Sequence, residues 1–359
     1  MMTGSKPCSR SLPSDIKQSF IVARYELLKY LRSRRLIGTI IILALIVSLI
    51  YALPPALGSP YAGHMEETLD VQPVPAGIGM PLPPNATYGN LSRGGIQEGS
   101  LEITVNGTVL PKDMWVYQNS TRKVIFLQDY SSSEVVASYD FKRSTNGFTE
   151  NFLQFAPILV IICSIFFGAD SIVSEYQNRT AYLIFPNPMR REVLFAGKMI
   201  ASIAASLLMV AIFYLAILVL SLATLGESAT YLYLSFFYAS LFILGCLGIA
   251  YFISSVMKGS TGAIILTFFI LTMISQIITG IGSIAGVKMW FMLTFAGDTI
   301  VQSINADSYP VDSSFEFAGF GTIYNYYPEM GLSIIVMLVY FLIFSLISVL
   351  LFRRKQLLG

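Results

Sequence analysis

The chain has 359 residues, 54% of them apolar and only 12% charged, with a formal net charge of +2. Soluble domains average about 25% charged residues, so half that share excludes an ordinary soluble globular protein. Six runs are long enough to cross a bilayer, which needs ~20 mostly apolar residues: 36–53, 152–169, 199–225, 231–256, 261–285 and 330–352, none containing Asp, Glu, Lys, Arg or His.

Residues 1–13 are polar and predict no fixed structure. From Ser14 the pattern predicts an amphipathic helix with Ile16, Phe20, Ala23, Leu27 and Leu31 on one face, while Lys17, Arg24, Lys29 and Arg32 lie mostly elsewhere. A basic helix of this kind belongs in the cytoplasmic headgroup layer, leading into the first span from a tail of residues 1–35. It serves either as a membrane anchor or as part of a cytoplasmic contact.

Residues 54–151 form the largest extramembrane piece. Pro54, Pro55, Pro60, Pro73, Pro75, Pro81, Pro83 and Pro84 make its first part read as extended linker. After Ser100, Leu101, Ile103 and Val105 alternate, and Asn106-Gly107 is a hairpin turn. Further strands are expected at Trp115–Tyr117, Val124–Leu127 and Val135–Phe141, giving a small β-rich external domain. Asn85, Asn90, Asn106 and Asn119 each begin a glycosylation sequon here, and a similar triplet at Asn178 falls on the opposite side of the membrane. The single histidine, His64, lies in this loop and reads as solvated surface.

Residues 170–198 are a polar, charged bridge between the second and third spans. Ile172, Val173, Tyr176, Ala181, Leu183 and Ile184 alternate with Glu175, Gln177, Asn178, Arg179 and Thr180 at near-helical spacing, predicting a helix at the membrane surface. Phe185-Pro186-Asn187-Pro188 stops it, and Asn187-Pro188 suits the start of the next helix. In the third span Gly197, Ala201 and Ala205 recur every four residues beside Ser202 and Ser206, a pattern that lets helices approach closely. The fifth span carries a polar stripe of Thr272, Ser275, Gln276, Thr279 and Ser283. Hydroxyls can bond to their own helix, but a glutamine in hydrocarbon needs a partner or water, so Thr272, Ser275, Gln276 and Thr279 are candidates for a transport path. Between 286 and 330, a short external helix over Lys288–Asp298 and a loop around Phe315–Tyr327 are expected, and residues 353–359 form a charged stub.

Orientation follows from the Lys/Arg distribution. Residues 1–35 sum to +6, the bridge to +1, Lys258 adds +1 and Arg353, Arg354 and Lys355 add +3; residues 54–151 sum to −4, Glu227 adds −1 and 286–330 sum to −4. Strict alternation with both termini cytoplasmic fits every segment, in a multi-pass protein of a cell membrane, a prokaryotic plasma membrane being the expected one. The loops assigned outside hold no cysteine, since the three are Cys8, Cys163 and Cys246, so no disulfide framework is expected there.

The ordered set Glu175, Thr180, Pro188, Arg190 or Arg191, and Gly197-Lys198 resembles the segment after the second span of permease subunits of type-2 ABC transporters. Arg179 stands where that family often has glycine before the threonine. The resemblance implies an all-α polytopic fold of six transmembrane helices with a cytoplasmic coupling helix between spans two and three. It implies pairing with a second copy or a homologous permease, in the lipid bilayer, and with two copies of a separate ABC ATPase. No cofactor is bound directly; ATP and Mg belong to the ATPase, and Glu175, Gln177, Arg179, Thr180, Arg190 and Arg191 are the docking candidates.

The residues alone narrow the chemistry in the same direction. The spans lack the His or acidic groups of an intramembrane protease, and a single histidine makes neither a triad nor a metal site. They also lack the midplane carboxylate usual in ion-coupled carriers. No phosphate-binding loop of the form Gly-x-x-x-x-Gly-Lys-Ser/Thr occurs, so the chain is not itself an ATPase, and no nucleic-acid partner is expected. An exporter permease is the favoured reading. A non-transporting subunit that passes ATPase motion to an external domain, and an ion-coupled secondary transporter, are the alternatives.

Overall fold

The structure, a computed structural model, describes residues 15–74, 83, 85–97, 99–119, 121–177, 190–317 and 321–354, and of Arg34, Arg35, Tyr176, Glu316 and Phe317 only the backbone. Arg179, Thr180, Pro188, Asn178 and the chain ends lie outside these ranges. Among the described residues six helices are long and apolar enough to cross a membrane: Leu36–Ala56, Thr145–Glu175, Arg191–Leu225, Leu232–Val256, Ser260–Ala285 and Met330–Arg354. These are the first to sixth spans below. Their ends follow ordinary stop chemistry: Gly226 (φ 72°) ends the third and Gly286 (φ 70°) the fifth, in the left-handed conformation that suits glycine at a helix C-terminus.

The chain forms two compact units, one of Met1–Val47, Phe152–Ala216 and Thr230–Gly359, the other of Ser48–Asn151 and Ile217–Ala229. In the first unit the second and fourth spans are the core, with 67% of their apolar window buried, against 22% for the first and 17% each for the fifth and sixth. Small residues set this packing. A Cβ on Gly168 would lie 2.8 Å from Leu247 Cδ2, and one on Gly248 would lie 3.2 Å from Phe341 Cα, so only glycine lets the fourth span approach its neighbours this closely. Two spans contain a wider π turn, Ile165–Ala169 in the second and Phe269–Ile274 in the fifth.

An N-terminal helix, Asp15–Leu31, precedes the first span. Its buried residues are Ser19, Ala23 and Tyr30, whereas Ile16 and Phe20 of the expected apolar face are 70% and 61% exposed. The helix thus packs through a narrow small-residue and polar seam and leaves its greasy face free.

Between the fifth and sixth spans, two short helices, Leu293–Gly297 and Thr299–Gln302, are buried against the fourth span instead of lying free. Gly245 and Gly297 make the room: a Cβ on the first would meet Leu293 at 2.7 Å, and one on the second the Phe242 ring at 2.8 Å. Gly245 lies 13 residues into the fourth span, roughly 20 Å along it at about 1.5 Å per residue, so this segment re-enters the bundle. The aromatic stretch beyond it is a hairpin, β9 (Ser313–Phe317) on β10 (Gly321–Asn325).

Among its described residues the second unit holds two antiparallel four-stranded sheets. One has the order β1-β8-β4-β5, from β1 (Ala62–Leu69), β8 (Val135–Lys142), β4 (Glu102–Val105) and β5 (Thr108–Val109). The other, β2-β3-β7-β6, is built from β2 (Val71–Pro73), β3 (Thr87–Asn90), β7 (Lys123–Phe126) and β6 (Trp115–Gln118). In β8, Val135, Ala137, Tyr139 and Phe141 alternate into a core shared with Leu69, Ile103, Val124 and Phe126. Asn106 (φ 48°) and Gly107 (φ 81°) form the two-residue turn between β4 and β5, the backbone that an Asn-Gly pair favours. Strands β1 to β3 occupy part of the proline-rich stretch that reads as linker. β1 is mostly exposed and is held by its backbone register with β8, which leaves little hydrophobic pattern to read.

Candidate functional site

The first half of the bridge, residues 170–177, is fastened to four neighbouring elements. Lys198, early in the third span, reaches Glu175 Oε1 and Glu26 Oε1, each at 2.7 Å, with its side chain only 3% exposed. One cation between two carboxylates brings together the N-terminal helix, the bridge and the third span. Buried charges of this kind persist only when paired and hydrogen-bonded, because each ion loses its hydration. Gly197, next in sequence, is the contact that permits it: a Cβ there would sit 2.6 Å from Val22 Cβ and 2.8 Å from Ser19 O. The glycine lets the N-terminal helix close enough for Glu26 to reach the lysine.

A second set of bonds locks the bridge to the remaining spans. Phe167, inside the π turn of the second span, offers its carbonyl to Ser202 Oγ (2.6 Å) and Tyr30 Oη (3.1 Å). Ser202 Oγ is 2.8 Å from Tyr251 Oη, which donates to Ser171 Oγ at 3.1 Å. The Ile172 and Val173 N–H groups both donate to Ser254 Oγ at 3.1 Å, satisfying the start of the short helix Val173–Gln177. Gln177 Oε1 accepts the Ser260 N–H at 2.9 Å and so caps the start of the fifth span. At the rim, Arg190 pairs with Asp15 (2.9 Å), Arg191 donates to Arg353 O (3.2 Å), and Arg353 pairs with Glu192 (3.1 Å).

These contacts redistribute the docking candidates. Glu175 is buried, its carboxylate turned inward onto Lys198, while Gln177, Arg190 and Arg191 lie at the surface. Arg179 and Thr180 fall outside the described residues. Glu26, Tyr30 and Ser254 escape a sequence reading because each is one polar residue among many. The signal that existed was Lys198 in the Gly197-Lys198 pair, a lone charge at the edge of an apolar run.

The polar stripe of the fifth span divides in two. Thr272 Oγ1 donates to Phe268 O (2.6 Å), Ser275 Oγ to Ile270 O (2.9 Å), Thr279 Oγ1 to Ser275 O (3.1 Å) and Ser283 Oγ to Thr279 O (3.3 Å), so all four hydroxyls bond their own helix. Gln276 makes no side-chain hydrogen bond among the described residues. It lines two adjoining cavities of 190 and 270 Å³, and Asp298 of the re-entrant segment lines both as well. The Asp298 carboxylate stands open to this cleft and caps no helix. Thr294 lines the cleft too; its buried hydroxyl has no partner among the described residues. The spans themselves hold no carboxylate along this cleft; Asp298, in the segment between the fifth and sixth spans, is the acid that lines it.

In the second unit, Asn85, Asn90, Asn106 and Asn119 are all exposed. His64 Nδ1 lies 2.9 Å from Asp140 Oδ1 and its Nε2 3.2 Å from Ser138 Oγ. That is the order of a Ser–His–Asp triad, yet His64 and Asp140 are 62% and 51% exposed on an open strand face. The neighbouring backbone is engaged in the β1–β8 ladder, and a hydrolase needs an oxyanion hole and a pocket as well. Among the described residues no group of three or more His, Cys, Asp or Glu could hold a metal.

A family model described as an ABC-2 family transporter protein matches residues 20–357. The chain therefore belongs to that family, and it is a membrane transporter component. No curated protein matches the chain.

Proposed function

We propose that this ABC-2 family member is the membrane-spanning permease of an exporter, driven by a separate ATPase that supplies both ATP and Mg sites. Two permease copies, or this chain and a homologue, pair in a prokaryotic plasma membrane with two ATPases below them. Both termini and the bridge face the cytoplasm, and the sheets of residues 62–142 face outside. The observation that carries the reading is the fastening of residues 170–177. A cytoplasmic segment tied to the N-terminal helix and to the third, fourth and fifth spans (Glu175–Lys198–Glu26, Ser254, Gln177–Ser260) passes a push to all of them at once. The docking face comprises Gln177, Arg179, Thr180, Arg190 and Arg191, with Glu175 holding the segment from within.

Affinity purification of the chain from its native membrane tests this. An ABC ATPase is expected to co-purify with the wild type and to be lost with Arg190→Glu plus Arg191→Glu, while the permease still inserts. Unchanged recovery of the ATPase in that variant removes the docking role.

A force-transmitting subunit without cargo is the second reading. It is favoured by the four span-5 hydroxyls that bond their own helix and so need no cargo to satisfy them. ATPase activity of the reconstituted complex that responds to no lipid, peptide or drug would select it. Asp298 gives an ion-coupled carrier one argument, and an ATP requirement for transport decides against that carrier.

A further inference from the structure

The cleft beside the fifth span has a composition that the fold itself does not need. One of its cavities has an apolar side: Pro157, Ile158 and Ile161 of the second span, Phe242 of the fourth and Leu271 of the fifth. This surface also carries one carboxylate, Asp298, two amides, Gln154 and Gln276, and two threonines, Thr272 and Thr294. Along the fifth span the two cavities reach from Leu271 to Ser283, roughly 18 Å of helix at about 1.5 Å per residue.

Polar groups inside a bundle are normally satisfied, because an unmade bond leaves the desolvation penalty uncompensated. Here three are not. Asp298 has neither an ion pair nor a side-chain hydrogen bond among the described residues, Gln276 is without a side-chain partner, and the Thr294 hydroxyl is buried with none. An acid lining a cavity among membrane-spanning helices marks a ligand or ion path more often than a structural role, and a cation is what this carboxylate lacks.

We propose that this cleft is a binding site for a cationic amphiphile, an amine or quaternary ammonium carried on a hydrocarbon body. Asp298 is the counter-ion, Gln276 and Thr294 supply orienting hydrogen bonds, and the Pro157–Ile161 and Phe242–Leu271 walls take the apolar body. Apolar cavities with a few convergent polar groups are the usual form of a small-molecule site. That the bound cation is cargo rests on the export reading above; the binding itself does not.

The test uses the full permease in a neutral maltoside detergent, without ATPase, at about pH 8, where an alkylamine keeps its charge. Tetraphenylphosphonium is the labelled probe in equilibrium dialysis, with dodecylamine, dodecanol and dodecanoate as competitors of matched chain. The wild type is expected to bind the probe, and dodecylamine to displace it at concentrations about tenfold lower than dodecanol, the effect of one favourable charge pair of ~1.4 kcal/mol. Asp298→Asn is expected to weaken probe binding by about tenfold with an unchanged melting temperature, and Asp298→Glu to retain most of it. Ile161→Trp, which keeps the charge and fills the cleft, is expected to abolish binding and serves if the Asn variant misfolds. Equal binding by wild type and Asp298→Asn, no preference for the amine over the alcohol or the acid, or no binding by the wild type each overturns the site. Failure of the export reading looks different: the probe binds in this manner, but no ATPase co-purifies and no ATP-dependent movement of dodecylamine occurs in proteoliposomes.

Discussion

The two polar clusters of the helical unit are opposites. Around Lys198 the groups are paired: the lysine with two carboxylates, the Phe167 carbonyl with two hydroxyls, Ser254 with two backbone N–H groups. Around Asp298 the acid, the amide and a buried hydroxyl stand without partners among the described residues. A cluster paired in this way resists deformation and moves as one piece, as a transmission element must. An unsaturated one is less stable than it could be, and such sites are kept where function needs them.

The comparison is broken most forcefully at the lysine. Lys198→Met leaves two enclosed carboxylates facing one another and is expected to lower stability by about 3–5 kcal/mol, the effect of stripping one partner from a buried ion pair. Adding Glu26→Gln and Glu175→Gln should recover most of the loss in thermal unfolding. If Lys198→Met alone melts like the wild type, the triad is not a structural lock.

Gly197→Val comes next. Its side chain would overlap Val22 and the Ser19 carbonyl, and forced overpacking of this sort costs about 1–3 kcal/mol. Accessibility of a cysteine placed at Ala23 should rise as the N-terminal helix is pushed away; unchanged accessibility would show that the seam tolerates the bulk. Ser254→Ala removes the acceptor of two N–H groups and should destabilise by about 1–3 kcal/mol, seen as faster amide exchange at Ile172 and Val173. At the cleft the sign is predicted to differ: Asp298→Asn removes no protein contact, so the melting temperature should hold or rise slightly. A clear drop would mean that the acid is structural. Smallest of all, Arg353→Ala breaks an exposed pair with Glu192 and should change stability by no more than about 1 kcal/mol.

The six spans were legible because runs of some twenty apolar residues have few alternative fates, and the Asn106-Gly107 turn because its backbone demands those residues. The bridge motif pointed to Glu175 and Lys198 separately but not to their contact, which depends on two helices meeting 23 residues apart in the chain and on Glu26 arriving from a third. Strands β1 to β3 were hidden because pairing in the backbone ladder needs no hydrophobic alternation. The re-entrant helices were hidden by their length, five and four residues. A usable signal was present all the same: LTFAGDTIVQSI, from Leu293 to Ile304, is too apolar for an open loop and carries a single acid. In the fifth span the stripe was visible, yet only Gln276 of its members faces the cleft without a bond of its own.

The side of the membrane that the bridge occupies, and what touches it there, decide whether it can receive a push from an ATPase. The direct measurement is labelling of Arg190→Cys, in a background with Cys8, Cys163 and Cys246 replaced by serine, using a membrane-impermeant maleimide. The predicted result is no labelling in intact cells, labelling in inside-out vesicles stripped of peripheral proteins, and protection when the co-purifying ATPase is added back. Labelling of that thiol from outside intact cells would contradict it.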